Sequence, residues 1–378
     1  ISRDNKIFIN DISFKKEEVI FKFKDNNIDE IKKELNKNYR EVNISINNNI
    51  MKVIITGGTG MLGRRLALRL LANSELVGRS GDKEPIDRLI LVDAYEPVEP
   101  MPADPRVETI REDICDTKVL DKLIDDNIDS IFHFAAVVSG GAEEDFDLGY
   151  NVNLDGTRNL FEACKKVDAT PRVIFTSSLA VYGGFREIVD DTPLLPQSSY
   201  GAQKAIGEIM LNDYTRKGFF DGRSLRLPTI VVRPGKPNRA ASGFASSILR
   251  EPLQGSEAIC PVSPETRMLI LSPRRAVQAF IDVHNAESDH LGFRRGVMMN
   301  GISPSIGEMV LALKDIAGAK IADRILWKPD SEIQRMVDSW PWFANGIIGR
   351  ELGFEADESI EEVVRSFIED ELDGNIIS

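Results

Sequence analysis

From residue 51 onward, short apolar runs alternate with longer segments in which apolar residues recur at helical spacing. The short runs are rich in Val, Ile, Leu and Phe on both faces, which is typical of parallel strands covered on two sides. The predicted strands are Lys52–Thr56, Arg88–Asp93, Val107–Arg111, Ser130–Ala135, Arg172–Ser177 and Ser224–Val232. The predicted helices between them include Arg64–Ala72, Lys118–Asp125, Asn153–Lys166 and Tyr200–Arg216. The alternation predicts an α/β fold built on a doubly wound parallel sheet.

The pattern weakens after Pro234, where Gly, Pro, Ser and Arg become frequent. Helical spacing returns at Arg274–Glu287, Ser305–Gly318 and Glu358–Leu372. We therefore expect a main domain over residues 51–235. Residues 236–378 should form a smaller C-terminal substrate lobe, with some segments returning to the main domain.

Residues 1–50 differ from the rest of the chain, because they are crowded with Asn, Ile and Lys and contain no Gly, Ala or Pro. Strand-like alternation at Lys6–Ile12 and Val19–Lys24, with a helical run at Ile28–Leu35, could make a small appended unit. The interpretation that we favour is a fusion remnant or a read-in from upstream of Met51.

The composition of the chain limits the kinds of binding partner that we expect. The chain has 47 Lys and Arg against 60 Asp and Glu, a formal charge of −13, which argues against nucleic acid or an anionic membrane as partner. The cysteines and histidines show no metal-ligand spacing, and His133, inside an apolar run, is interpreted as a core residue. There is neither an apolar stretch of the roughly 18 residues that a membrane helix needs nor a secretory signal, so we expect a cytoplasmic protein without a metal.

A glycine-rich turn joins the first predicted strand to the first helix. Gly57, Gly60 and Gly63 give a tight turn that brings backbone close to a pyrophosphate, and the N–H groups of Met61 and Leu62 open the helix. Asp93 closes the second strand, where its carboxylate would bind the adenosine ribose and repel a 2′-phosphate. This combination predicts a Rossmann sheet that binds NAD rather than NADP.

The spacing between the glycines and Asp93 exceeds the usual value of about 20 residues. A polar insertion at Val77–Asp87 can account for the excess. The alternative is a strand-ending aspartate that binds no ligand.

Tyr200 and Lys204 stand four residues apart on a predicted helix and therefore share one face. A nearby ammonium favours the phenolate and makes Tyr200 a usable general base. Ser178, at the end of the strand upstream, could hold the substrate oxygen beside Tyr200. These three residues are the predicted catalytic group.

With these motifs in place, residues 51–378 resemble the extended short-chain dehydrogenase/reductase superfamily, which includes nucleotide-sugar epimerases and dehydratases. The resemblance is strong to about residue 235 and loose afterwards. It rests on TGGTGMLG from Thr56, Asp93, Asp113-Ile114, HFAA from His133, NLDGT from Asn153, TSSLAVYG from Thr176 and YGAQK from Tyr200.

The resemblance implies further roles at the carboxyl edge of the sheet. Ser178 would orient the substrate, Tyr200 act as acid/base and Lys204 bind the nicotinamide ribose. The remaining cofactor contacts implied are Asp113 and Ile114 beside the adenine, Ala135 and Ala136 along the cofactor path, Asn153 bracing the end of the fifth strand, and Pro228 and Thr229 at the carboxamide.

The substrate lobe departs from the nucleotide-sugar pattern, since paired arginines stand where paired acids are usual in the superfamily. Arg233 and Arg274 are the candidate partners of a substrate carboxylate, with Arg274 slightly ahead, whereas we expect Arg275 to pair with surface acids. The run from Arg233 to Phe244 is most similar to the branch that oxidises the C2 hydroxyl of D-erythronate, a short sugar acid, to a 2-oxo acid.

Three interpretations stay open at the level of sequence. The leading one is an NAD-dependent dehydrogenase that acts on a small sugar acid and forms a homo-oligomer, such as a dimer. The second is a nucleotide-sugar 4-epimerase or dehydratase with tightly bound NAD. The third is a non-catalytic NAD-sensing protein that has kept the fold.

Overall fold

The computed structural model describes residues 9–15, 18–23, 51–97, 99–235 and 242–377. The chain divides into two compact units, residues 1–50 and residues 51–378. In the first unit, β1 (Ile9–Lys15) and β2 (Glu18–Phe23) pair in antiparallel orientation. They overlap the two strand-like segments of the sequence, whereas the helical run at Ile28–Leu35 lies outside the described residues.

The second unit contains the α/β fold. Its strands are β3 (Met51–Thr56), β4 (Glu75–Val77), β5 (Lys83–Asp93), β6 (Val107–Arg111), β7 (Ile128–His133), β8 (Arg172–Ser178), β9 (Glu187–Val189), β10 (Asp221–Leu227), β11 (Thr229–Ile230), β12 (Ala258–Cys260), β13 (Ile270–Leu271), β14 (Gly296–Met298), β15 (Ile325–Trp327) and β16 (Phe343–Asn345).

The helices of this unit are α1 (Met61–Asn73), α2 (Thr117–Leu123), α3 (Ser139–Glu144), α4 (Phe146–Gly149), α5 (Thr157–Lys166), α6 (Ser199–Arg216), α7 (Gly243–Leu253), α8 (Pro273–Asn285), α9 (Ser288–Leu291), α10 (Ile306–Ala317), α11 (Ala319–Ala322), α12 (Ser331–Asp338), α13 (Ile347–Glu351) and α14 (Ile360–Glu371). A π-helical turn, Tyr150–Gly156, precedes α5. None of the helices in the described ranges is long and apolar enough to cross a membrane.

The main sheet has eight strands and confirms the predicted doubly wound Rossmann fold. Seven strands run parallel in the order β6-β5-β3-β7-β8-β10-β14, and β4 pairs antiparallel with the first part of β5. The chain adds β5 and β6 on one side of β3 and then adds β7 on its other side. The carboxyl ends of β3 and β7 therefore flank the crevice in which such sheets bind ligands.

Burial on both faces explains why the strands read as continuous apolar runs. All six residues of β3 are buried, with Val53 and Ile55 in one core cluster and Ile54 in the cluster on the opposite face. Since neighbouring side chains of a strand point to opposite faces, both clusters draw on the same short segment.

The polar insertion before the second predicted strand is itself a hairpin. β5 begins at Lys83 rather than Arg88, and β4 folds back on it through a turn in which Gly78 N donates to Asp82 O at 2.8 Å. The hairpin could not be recognised as strands from the sequence, because polar residues on an antiparallel edge of the sheet face solvent.

Residues after 235 contribute to two regions of the unit. α8 packs on the main sheet through Phe280, and β14 extends that sheet beside β10. Other segments, including α7, α10 and α14, enclose a separate apolar cluster. The sequence pattern predicted α8, α10 and α14 but missed α7 and the three-residue β14.

Candidate active site

The glycine-rich turn after β3 is shaped by close backbone contacts. Gly57 has a φ of +65°, and a Cβ atom there would lie 2.7 Å from Ala135 N. A Cβ on Gly63 would lie 2.3 Å from Gly57 O. These two glycines are therefore required for the turn and for the approach of α1 to it. Gly60 differs, because it is exposed and a Cβ there would meet only Gly57 O, at 3.2 Å.

The amino end of α1 opens at this turn without a capping side chain. Among the described residues, no acceptor engages the N–H groups of Met61 and Leu62. An uncapped helix end with free donors and exposed glycine backbone binds phosphate groups well. The turn thus fits the pyrophosphate of a dinucleotide.

Asp93 lies at the carboxyl end of β5, against the same turn. Its carboxylate accepts hydrogen bonds from Thr59 N and Tyr95 N, both at 3.2 Å. These two donors fix the carboxylate beside the phosphate turn, where an adenosine ribose would reach it. The ribose contact of Asp93 therefore stays a prediction at this position.

The residues proposed for the adenine and the cofactor path follow the next strands. Asp113 caps a turn by accepting from Cys115 N at 2.9 Å, and Ile114 is buried beneath it. Ala135 and Ala136, which follow β7, are half-buried, and Ala135 lies against Gly57. Each of these residues lies just past the carboxyl end of a strand in the main sheet.

Asn153 braces a different strand from the one expected. Its amide accepts from Val137 N at 2.7 Å and donates to Val137 O at 3.0 Å, so it holds the segment after β7, the fourth predicted strand, rather than the end of the fifth. It also donates to Gln203 Oε1 at 2.7 Å and thereby links this segment to α6. No pattern along the chain singles out Gln203, because its contact with Asn153 forms only on folding.

The end of β8 and the start of α6 bring the predicted catalytic group together. Ser198 caps α6 by accepting from Gly201 N at 3.1 Å. A Cβ on Gly201 would lie 2.2 Å from Ala180 O, so the helix start packs directly on the turn that follows Ser178. Ser178 Oγ accepts from Ala180 N at 3.1 Å, which fixes its side chain in that turn.

Lys204 lies one turn after Tyr200, as the spacing predicted. Its side chain is 2% exposed, with Nζ 5.6 Å from the centre of the Tyr200 ring and 4.8 Å from that of Phe175. Burial lowers the pKa of Lys204 to about 7, and the carboxylate of Glu208 opposes this change. The ammonium therefore titrates near neutral pH in a site whose surroundings are largely apolar.

Arg233 is a second cation near Tyr200, and its charge acts on the hydroxyl of that residue. Burial raises the pKa of the Tyr200 hydroxyl, and the positive charge of Arg233 lowers it. The sequence pointed to Lys204 for this effect, because only its spacing from Tyr200 is visible along the chain. Arg233, in the segment after β11, acts on the same hydroxyl through its charge.

The main chain of Arg233 is held firmly, while no acceptor among the described residues engages its terminal amino groups. Arg233 N donates to Ser246 Oγ at 3.1 Å, and Arg250 Nη1 donates to Arg233 O at 2.7 Å. Its Nε donates to Ile230 O at 3.2 Å. Within the described ranges, no Asp or Glu pairs with its guanidinium. Residues 236–241, which follow it in sequence, lie outside the described residues.

The structure does not support Arg274 as a carboxylate partner. Its guanidinium lies at the surface and donates to Asp370 at 2.6 and 2.8 Å and to Glu369 at 2.9 Å. These carboxylates of α14 already satisfy its charge. Arg275 pairs with Glu355 and Glu362, which confirms the expectation for that residue.

Pro228 and Thr229 follow β10 at the carboxyl edge of the sheet. Thr229 opens β11, where its N–H donates to Leu269 O at 3.1 Å. Its side chain is half-buried. The pair thus lies at the end of a strand two positions from β7, beside the strand that ends in Ser178.

His133 is a core residue, as its apolar surroundings predicted. Its ring bridges Thr56 Oγ1 at 2.6 Å and Thr157 Oγ1 at 2.9 Å. Burial lowers the pKa of His133 to about 3, so the ring is neutral. No group of three or more potential metal ligands occurs in the described parts of the chain.

The fold and the site together define a dinucleotide-dependent enzyme in which a tyrosine and a lysine lie one turn apart on α6. A family model, the NAD dependent epimerase/dehydratase family, matches residues 53–284. The chain belongs to this family, and its cofactor is NAD.

Two curated relatives and one solved structure are similar to the chain over most of its length. The chain is 50% identical over 322 residues to a D-erythronate dehydrogenase of Cupriavidus necator, covering 85% of this chain and 98% of the relative. A D-erythronate dehydrogenase of Haemophilus influenzae is 44% identical, with 84% and 99% covered. The crystal structure of a nucleoside-diphosphate-sugar epimerase from Agrobacterium tumefaciens is similar with a TM-score of 0.80 at 43% identity, covering 88% of this chain and 98% of that one.

Proposed function

We propose that this protein oxidises the C2 hydroxyl of a short sugar acid, D-erythronate to 2-dehydro-D-erythronate, with NAD as the oxidant. The relatives named for this reaction support the substrate. The observation that carries the proposal is the guanidinium of Arg233, which acts electrostatically on Tyr200 and is paired with no carboxylate of the described residues.

The substrate carboxylate supplies the partner that Arg233 lacks. A carboxylate that enters a partly dry site needs a charged, hydrogen-bonding group to offset its desolvation, and a guanidinium can bind both oxygens. The main-chain contacts of Arg233 to Ser246 and Arg250 hold its backbone, and the bond from its Nε to Ile230 O orients the guanidinium before the substrate binds. A hydroxyl one carbon from that carboxylate then comes within reach of Tyr200.

The side chains of the site divide the proton chemistry. Ser178 donates a hydrogen bond to the substrate oxygen, and Tyr200 accepts the C2 hydroxyl proton as general base. Lys204 places a positive charge beside the ionised phenol and stabilises it. Bound NAD supplies the hydride acceptor, and its pyrophosphate and ribose fit the turn at Gly60 and the carboxylate of Asp93.

A substrate panel tests the proposal. Wild-type protein with NAD should accumulate NADH, read at 340 nm, with D-erythronate and not with UDP- or dTDP-sugars. Conversion of a nucleotide sugar to its epimer or dehydration product, without stoichiometric NADH, would replace this proposal by the epimerase or dehydratase alternative. Tight NAD binding without turnover of any compound would support the non-catalytic alternative.

We propose that the protein acts as a homodimer through the helices next to the site. α4 and α6 pack on each other and leave large apolar side chains exposed, 55% for Phe146 and 64% for Ile209. Apolar patches on neighbouring helices are typical of self-association. Light scattering should give twice the chain mass for wild type and the single chain mass for Ile209→Glu, and a monomeric wild type would refute the proposal.

We also propose that residues 51–378 suffice for activity and that the enzyme works in the cytoplasm, where the NAD that it turns over is available. All of the proposed site residues lie in the unit that starts at Met51. A chain that begins at Met51 should retain the kcat of the full chain, and a large loss of kcat would show that residues 1–50 contribute.

A further inference from the structure

A buried ion pair lies one helical turn behind Lys204 and has no role in the chemistry described above. Glu208 on α6 accepts three hydrogen bonds from Arg226 near the end of β10, from Nε at 3.0 Å to each oxygen and from Nη2 at 2.6 Å. The exposed fractions are 5% for the Glu208 side chain and 12% for that of Arg226. Two buried charges tied in this way fix the two elements relative to each other.

A third element joins the pair. Arg226 Nη1 donates to the hydroxyl of Tyr182 at 2.5 Å, and Tyr182, 2% exposed, ends the turn that begins at Ser178. Gly296 of β14 closes the cluster, since a Cβ there would lie 2.6 Å from Arg226 Nη2 and 2.7 Å from Glu208 Oε2. The cluster therefore connects the helix of Tyr200, the turn of Ser178 and the strand that leads to Pro228.

We propose that Glu208, held by Arg226 and Tyr182, is a positioning residue that keeps Lys204 protonated at working pH. Lys204 and Glu208 are four residues apart and share one face of α6. Among the described residues, no hydrogen-bond acceptor reaches Lys204 Nζ, so its charge depends on electrostatic support from Glu208. The proposal concerns the proposed dehydrogenase site, but its direct test does not require the substrate to be correct.

The other ionisable groups around Lys204 do not replace Glu208. Tyr200 on the same helix is neutral until it acts as base, and His133 from β7 is neutral because burial lowers its pKa to about 3. Arg226 from β10 and Arg233 after β11 are cations, which disfavour a second positive charge. Glu143 of α3 accepts from Ser199 N at the helix start, and Glu162 of α5 binds Lys165 and Tyr214 at the far end.

The experiment is a titration of Lys204 in the full-length protein, by NMR of lysine labelled with ¹³C at Cε and assigned with Lys204→Met. Glu208→Gln keeps the shape of the side chain and removes its charge. It should lower the pKa of Lys204 by about one unit or more. Glu208→Asp restores a carboxylate and should recover part of that change. The basic limb of the pH profile of kcat/KM should also move to lower pH, further in Glu208→Gln than in Glu208→Asp.

Asp221→Asn is the matched control. Asp221 begins β10 and binds Arg223 at 2.7 Å and Arg295 at 3.0 Å, so the substitution also breaks a largely buried ion pair, at the opposite end of the strand. It should lower the Tm without moving the Lys204 titration. Tyr182→Phe and Gly296→Ala disturb the cluster without removing a charge and should lower kcat more than they move the titration.

The outcomes are distinct. Unchanged titration of Lys204 in Glu208→Gln, or an equal shift in Asp221→Asn, overturns the proposal. If Glu208→Gln does not fold, the result from Glu208→Asp decides, because the shorter side chain withdraws the carboxylate and should still lower the pKa. If wild type oxidises no sugar acid, the proposed substrate fails, while the NMR titration still tests Glu208.

Discussion

Replacement of Arg233 by Ala is the sharpest test of the proposed substrate. The main-chain bonds of this residue to Ser246 and Arg250 do not involve its side chain, so the segment should keep its place while the guanidinium is lost. Arg250 cannot take over the role, because its own guanidinium donates to Ser247 at 3.2 Å and to Glu251 at 2.6 Å. The substrate carboxylate would then lie in the site without a guanidinium partner.

The expected size of the effect follows from the lost contact. A charge-assisted, two-pronged hydrogen bond between guanidinium and carboxylate is worth about 2–4 kcal/mol. At about 1.4 kcal/mol per factor of ten, kcat/KM for D-erythronate should fall roughly 30- to 700-fold. Arg233→Lys should recover only part of this, since an ammonium lacks the fork geometry.

A second effect of the same substitution is independent of substrate binding. Because Arg233 lowers the pKa of Tyr200, its removal should raise that pKa further and move the acidic limb of kcat/KM to higher pH. Arg233→Lys keeps the charge and should leave the limb nearly in place. The KM for NAD should change little in either variant.

The assay measures initial rates of NADH formation across pH and D-erythronate concentration. Arg274→Ala is the control, because that guanidinium is bound by Asp370 and Glu369 at the surface, and its KM for the sugar acid should equal that of wild type. Normal turnover of D-erythronate by Arg233→Ala, or a large loss in Arg274→Ala alone, would refute the assignment of the carboxylate to Arg233.

Three further outcomes are expected. Tyr200→Phe should retain NAD binding, measured by calorimetry, while kcat falls roughly 10²-fold or more, and a variant with most of its turnover would place the base elsewhere. Wild type should prefer NAD over NADP by at least about tenfold in kcat/KM, and Asp93→Asn should reduce that preference, because the carboxylate repels a 2′-phosphate. Burial lowers the pKa of His284 to about 3 from 6.5, so its contribution to stability is complete above pH 6.5 and is lost as pH falls towards 3. Between pH 7 and pH 5, the free energy of unfolding measured with denaturant should therefore fall by about 2 kcal/mol less in His284→Gln than in wild type. His290→Gln, at an exposed site, should show the same fall as wild type.

The parts of the fold that could be predicted are segments whose residue pattern directly reflects their burial in the folded protein. β3 is apolar at every position because both faces are covered, so its burial is visible in six consecutive residues. The glycine turn and Asp93 are similarly local, because each follows directly from the end of a strand. The NAD cofactor and the family were predicted from these local patterns, and the match to the family model confirms both.

The parts that could not be predicted depend on contacts between distant segments. β14 is three residues long and becomes a strand only by pairing with β10. Arg274 and Arg233 are alike in sequence. Only the structure shows that carboxylates of α14 bind Arg274, while the charge of Arg233 acts on Tyr200. Asn153 was assigned to the wrong strand for the same reason, since its partner Val137 is selected by packing.

The two cations near Tyr200 act at different stages of the proposed reaction. In the free enzyme, Arg233 lowers the pKa of Tyr200, but a bound substrate carboxylate would neutralise much of that charge. Stabilisation of the phenolate in the complex then depends on Lys204, whose own charge depends on Glu208. Since kcat/KM reports the free enzyme and kcat the complex, the acidic limb of kcat should lie at higher pH than that of kcat/KM. Coincident limbs would mean that the substrate carboxylate leaves the charge of Arg233 unchanged and therefore binds elsewhere.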